Sequence, residues 1–281
     1  MYRSNYFSGF VIAIVSVASF FASLPAWAGE LTDSGLKALD AGDFVAAADA
    51  FSKGFDAGEV DGAFYLGRML ELGLGGAPDL QSAVGLYLAG SEVGSAAAKN
   101  RLGVLHMQGN GVLQDFERGA ELVCSAAELG DKNGAFNCAT VYMQGMGVDQ
   151  SDETSLKWFK SAADLGHPGA KNQYANALIE GRLVEPDLDT AAALFQQTAA
   201  QGNPVGLFSL GQLFAAGVGV DADPVKAHAY FNLAATLGHP EAVAARAAIE
   251  GQMTPEQIIE AQQFARAWRP VESSQTLVEE Q

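Results

Sequence analysis

The chain has 281 residues, 49% of them hydrophobic, with a formal net charge of −17. That is enough apolar material for one large or two ordinary domains with a sizeable core. The acidic balance argues against nucleic acid or an anionic lipid surface as a partner. It fits solubility without self-association, hence a monomer, and leaves room for attraction to a basic partner.

In chain order, residues 1–28 read as a secretory signal peptide. Arg3 and the amino terminus form a positive start, Gly9–Ala22 is an apolar run, and Ala26-Trp27-Ala28 is an A-x-A cleavage box. The run is short for a membrane span, so cleavage before Gly29 is expected over retention as an anchor, and no cysteine near that point offers a lipid attachment. Export to the periplasm of a Gram-negative bacterium, or secretion, follows. Without Arg3 there are 15 Lys+Arg against 33 Asp+Glu, a net of −18. No later run is apolar enough to cross a bilayer.

Residues 29–270 repeat. Gly58, Gly94, Gly130, Gly166, Gly202 and Gly238 are each 36 apart, as are Gly73, Gly109, Gly145, Gly181 and Gly217. A small column runs Gly67, Gly103, Ala139, Ala175, Gly211; a capping column runs Asp79, Asp115, Ser151, Asp187, Asp223; an Ala-rich column runs Ser91, Ala127, Ala163, Ala199, Ala235. Several columns in one phase predict a helix–turn–helix unit. The first Gly set ends the second helix in a left-handed residue, the second set makes the turn, and Asp or Ser caps the next helix. Small residues let the two helices approach closely.

Gly35–Gly58 reads as an atypical first unit with a shortened first helix. Glu241–Glu250 reads as a last first-helix. Thr254-Pro255-Glu256-Gln257 starts a further helix to about Trp268, with Thr as N-cap and Gln at N3. Residues 271–281 read as a polar, flexible tail. The expected fold is all-α: about six helical hairpins and a C-terminal capping helix in one solenoid without internal domain boundaries.

These residues resemble the Sel1-like repeat family, relatives of tetratricopeptide repeats. The pattern appears as LGQLFAAGVGVDADPVKAHAYFNLAATLG at Leu210–Gly238. It recurs as YMQGMGVDQSDETSLKWFKSAADLG at Tyr142–Gly166 and LGVLHMQGNGVLQDFERGAELVCSAAELG at Leu102–Gly130, and LGRMLELGLGG opens at Leu66. The unit Gly169–Pro204 diverges most: Ala175 and Leu183 replace glycines and Pro186 enters the loop. The resemblance covers about residues 61–240 and implies a right-handed α-solenoid.

Cys124 and Cys138 lie in the second helix of one unit and the first helix of the next, each seven residues from Asp131. Antiparallel helices leaving that turn would bring them side by side, so a disulfide is expected in an exported chain, with two buried small apolar side chains as the alternative. The cysteine-rich branch of the family also bridges helices across this turn, but about one helical turn nearer the loop, so the pairing here is not carried over from it.

His167 and His239 share one repeat column, two periods apart, and read as turn or cap residues; with His106 and His228 they give no shared metal site. Some members of the cysteine-rich branch have been labelled β-lactamases. Ser34-Gly35-Leu36-Lys37 matches their S-x-x-K, but no S-D-N or K-T-G follows. A weak β-lactamase-like or cell-wall-fragment-binding protein is therefore the alternative reading. The G-x-G-V-D runs at Gly145 and Gly217 resemble calcium nonapeptides but recur every 36 residues, as turns do. No Walker loop, H-E-x-x-H or G-x-S-x-G is present. The chain reads as a non-enzyme with no cofactor and no metal.

What remains is the inner face of the first helices. With Leu66 and Leu210 as the packing ridge, Phe64, Arg68, Glu71 and Leu72 lie opposite. One column reads Phe64, Asn100, Phe136, Asn172, Phe208; the next reads Arg68, Val104, Thr140, Asn176, Gln212. In related tetratricopeptide repeats such positions line a concave groove, where Asn and Gln bond an extended backbone and Phe offers apolar pockets. A protein or peptide partner on that face is expected. The resemblance adds one more possibility, the periplasmic part of a membrane sensor that the protein would regulate.

Overall fold

The computed structural model describes residues 29–271. The expected signal peptide and most of the expected tail, residues 272–281, lie outside the described residues. Among the described residues there are fourteen helices and no strand. They form six consecutive hairpins: α1 Glu30–Asp40 with α2 Phe44–Asp56, α3 Gly62–Leu72 with α4 Leu80–Glu92, α5 Ala96–Gln108 with α6 Phe116–Glu128, α7 Lys132–Gln144 with α8 Asp152–Asp164, α9 Pro168–Glu180 with α10 Leu188–Ala200, and α11 Pro204–Ala216 with α12 Pro224–Thr236. Then come α13 Ala242–Glu250 and α14 Pro255–Ala267. Each helix through α12 packs on the next, and first helices also touch first helices (α3 with α5, α5 with α7). The result is an α-solenoid.

The repeat columns act as their chemistry requires. Gly73, Gly109, Gly145, Gly181 and Gly217 end the first helices with φ of 65 to 69°. Asp79, Asp115, Ser151, Asp187 and Asp223 each accept a backbone N–H three residues on, capping the second helices. The small column has a facing partner that sequence inspection passed over. Phe51, Tyr87, Val123, Phe159, Phe195 and Phe231 are also 36 apart, and all are buried. A Cβ added at Gly67 would lie 2.6 Å from the Tyr87 ring, at Gly103 2.7 Å from Val123, and at Gly211 2.8 Å from Phe231. The first helix is therefore a floor on which the second helix seats one large side chain per repeat. Gly35, under Phe51, plays the same part in the shorter first hairpin.

The end of the stack departs from the period. α14 has the capping box expected at Thr254 and Gln257, and it folds back onto α12. Phe264 meets Tyr230 edge-on at 5.5 Å, Ala261 is fully buried, and the Val271 N–H donates to the Ala200 carbonyl. Cys124 and Cys138 are joined by a disulfide with Cα atoms 4.8 Å apart, tying α6 to α7. The bridge closes a loop of sequence separation 14, for which chain entropy gives about 3 kcal/mol. Reduction, or the double change Cys124→Ala/Cys138→Ala, is expected to lower unfolding stability by about that amount without changing helix content, as read by urea titration followed by circular dichroism.

Candidate functional site

The inner-face residues fall into two groups. One group is committed to holding repeats together. Phe136 stacks on His167 with ring centroids 4.2 Å apart, and Phe208 stacks on His239 at 4.0 Å. At the same offset, the Asn172 amide donates to Asn203 Oδ1 at 3.0 Å and accepts from Thr198 Oγ1 at 2.8 Å. In each case the partner sits in the turn that opens the next first helix. His167 and Asn203 are N-caps there, accepting from the Ala170 and Gly206 N–H groups. Asn172 is 5% exposed and Phe208 7%. Phe64, half-buried, meets Tyr65 and Tyr87.

Arg68 is also inside. It is 1% exposed and donates to Glu71 Oε2 at 2.7 Å. The Tyr87 hydroxyl (2.6 Å) and Arg101 Nε (3.0 Å) donate to the same oxygen, and Arg101 Nη2 reaches Glu71 Oε1. This cluster joins α3, α4 and α5, so a position read from helical phase as facing a groove instead serves as a polar rivet. Burial alone would raise the Glu71 carboxyl, but hydrogen bonds from Arg101, Tyr87 and Arg68 outweigh it and hold the group down at about 2. Arg101 is raised: burial works against its charge, and the bonds to Glu71 win.

The second group remains open. Asn176 and Gln212 are exposed, as are their neighbours Gln108, Gln144 and Gln173. Asn100, Asn137 and Thr140 are half-buried. Asn137 donates to Asn100 across adjacent repeats at 2.8 Å, and Thr140 donates to the Phe136 carbonyl at 2.9 Å. Along α5, α7, α9 and α11 this makes a strip rich in amides and hydroxyls, with Arg101 and Glu180 the charged members of its columns. The next-helix column carrying Asn137 and Gln173 was not singled out from sequence, although its 36-residue spacing made it visible.

Beside the strip lies a cleft of about 240 Å³ between the ends of α7 and α9 and the start of α8; Met143, Leu156 and Phe159 line it, as do Asn176, Glu180 and Leu183. Leu183 is the one non-glycine with positive φ (65°) among the described residues, and is 57% exposed. That conformation costs an L-residue about 1–2 kcal/mol. A second cleft, about 460 Å³, lies between α12 and α14, lined by Asn232, Thr236, Gln262 and Arg266. Ser34 is mid-way along α1, and both it and Lys37 are exposed; neither cleft includes them. Among the described residues no group of three or more His, Cys, Asp or Glu side chains could hold a metal ion. No described helix is long and apolar enough to cross a membrane.

The Sel1 repeat model matches residues 60–95, 96–131, 133–167, 168–203 and 204–239, well over half of the chain. The chain belongs to the Sel1 repeat family. Among solved structures, it is similar to c5321, a protective antigen of uropathogenic Escherichia coli strains with an SLR fold. The likeness has 27% identity and a TM-score of 0.71, over 83% of this chain and 52% of that one. It is also similar to a Sel1 repeat protein from Oxalobacter formigenes, with 29% identity and a TM-score of 0.63, over 72% of this chain and 59% of that one. The chain thus spans little more than half the length of either. The search of curated proteins finds no match. Sel1 repeat proteins typically act as protein–protein interaction modules, and the fold is a generally non-enzymatic scaffold.

Two outcomes test the electrostatics. Glu71 is depressed from 4.5 to about 2, so its contribution to stability is complete above pH 4.5 and is lost as pH falls toward 2. Its size is about 3 kcal/mol. Glu71→Gln is expected to remove a comparable amount at pH 7 and to flatten the acid limb of the urea midpoint between pH 4.5 and 2. His167 is lowered from 6.5 to about 4 by burial and by Lys132, so the unfolded chain takes the proton first. Stability from this residue therefore declines as pH falls from 6.5 to 4. His167→Asn, which keeps a cap acceptor as Asn203 does, is expected to erase that decline.

Proposed function

We propose that this Sel1 repeat protein is a non-enzymatic exported module that holds an extended segment of a protein partner along the inner face of α5, α7, α9 and α11. One observation carries the reading: in a chain of net charge −17, Thr140, Gln144, Gln173, Asn176 and Gln212 of this face carry amides and a hydroxyl, with Glu180 the exposed carboxylate at its edge. Amides both donate and accept, which matches the alternating groups of an extended backbone and is indifferent to its side chains. Of the residues expected to touch a partner, Asn176, Gln212 and Thr140 are the ones this reading uses first, with Asn100 at the edge. Phe64, Arg68, Phe136, Asn172 and Phe208 support the face from beneath.

Export belongs to the same reading, with residues 1–28 as a cleaved signal, residues 29–270 as the solenoid and the periplasm or the outside as destination. The support is the Ala26-Trp27-Ala28 box and the disulfide. A membrane sensor's periplasmic part as partner rests on resemblance to exported relatives.

A photoreactive residue at Asn176 or Gln212 is expected to crosslink a discrete partner in intact cells, whereas one at outward-facing Glu121 is not. Equal capture from all three positions, or none from the first two, would overturn the inner-face reading. Intact mass of the exported protein is expected to start at Gly29, less two hydrogens for the disulfide.

A further inference from the structure

Sister turns show what Leu183 changes. Its counterparts at 36-residue spacing are Gly75, Gly111, Gly147 and Gly219, all with positive φ. There the turn lies flat on the first residue of the preceding repeat's second helix. A Cβ at Gly147 would lie 2.0 Å from the Phe116 carbonyl oxygen, and one at Gly219 2.5 Å from that of Leu188. The equivalent neighbour of Leu183 is Asp152. Leu183 keeps the left-handed conformation but carries a full side chain, so this turn cannot lie flat. The space appears as the 240 Å³ cleft bounded by Asp152 and Leu183, spanned by the Arg182–Asp152 ion pair at 2.7 Å. The repeat has given up the residue its turn favours, and an exposed leucine stands in its place.

The cleft is continuous with the proposed partner strip, because Gln173 and Asn176 line it. Its charge is acidic: Asp152 is matched by Arg182, leaving Glu180, exposed and with no ion pair among the described residues. We propose that this cleft sets the sequence preference of the partner, taking an aliphatic side chain against Leu183, Leu156 and Met143 while Glu180 binds a neighbouring Lys or Arg. The occupant is thus an extended basic–aliphatic segment, steered by the net −17 of the chain. This rests on the inner-face reading above: amides hold the backbone, and the cleft reads the side chains.

A random dodecapeptide library selected on the purified, disulfide-bonded protein tests it. Enriched peptides are expected to carry Leu, Ile or Val next to Lys or Arg. For the best peptide, followed by fluorescence anisotropy, Leu183→Gly is expected to weaken Kd about tenfold, the scale of one lost aliphatic contact. The same change is expected to raise the melting temperature by relieving the positive φ. Glu180→Gln is expected to weaken binding a few-fold and to reduce its salt dependence. Better folding with worse binding is a combination that a merely structural leucine would not give. Equal binding by Leu183→Gly, or enrichment of acidic peptides, would overturn the proposal. If binding then still falls in Asn176→Ala and Gln212→Ala, the inner-face reading survives alone. Absence of enriched peptides, or binding insensitive to all four changes, would remove both.

Discussion

The solenoid depends on one steric fit, repeated: a glycine or alanine in each first helix beneath a large side chain of its second helix. With Gly67 under Tyr87 and Gly211 under Phe231, an added methyl group would meet the ring below van der Waals distance. The helices can therefore approach closely only where the floor residue is no larger than glycine or alanine, and the ring fixes both their rotation and their separation. Ala139 and Ala175, fully buried, hold the same column beside Phe159 and Phe195. A one-residue slip would move the ring off the floor, which is why the period tolerates no insertion from Gly58 to Gly238.

Stacking of repeats uses a different chemistry. Three residues of the Phe64 column, Phe136, Asn172 and Phe208, reach forward to the turn that opens the next first helix. Under Phe136 and Phe208 the turn offers an imidazole to stack on, at His167 and His239. Under Asn172 the turn offers an amide, Asn203. The choice alternates but the function is constant, since the same turn residue also caps a helix at His167 and Asn203. The ring faces of these histidines join repeats, and His167 Nδ1 caps the helix that follows it. The Arg68–Glu71–Tyr87–Arg101 cluster does a related task near the amino-terminal end, where three donors on one carboxylate oxygen offset the cost of burying charge.

Most of the fold was legible because it is written as a period. The glycine and capping columns place the hairpin boundaries without any long-range information, and the equal distances of Cys124 and Cys138 from Asp131 follow from antiparallel geometry. The site was less legible. Helical phase places Arg68 and Asn176 in one column, yet Arg68 is 1% exposed and Asn176 is open. Phase gives direction from a helix axis, not what stands there: Glu71, Tyr87 and Arg101 enclose Arg68, and no such set is repeated around Asn176. Similarly, α14 was readable as a helix from its Thr254 capping box, but its return onto α12 depends on Phe264 finding Tyr230, a contact outside the repeat.

Departures from the period are therefore more informative than the period about what distinguishes this chain from its relatives. A regular column describes what any hairpin of this kind needs in order to stack. Leu183 meets no such need: glycine at 75, 111, 147 and 219 shows the residue the turn favours, and leucine there accepts left-handed strain and exposure together. The strained turn lies beside the amide strip and opens a cleft into it. Local misfit and surface opening thus coincide at one repeat, so the least regular hairpin is the one with a shape of its own to offer a partner.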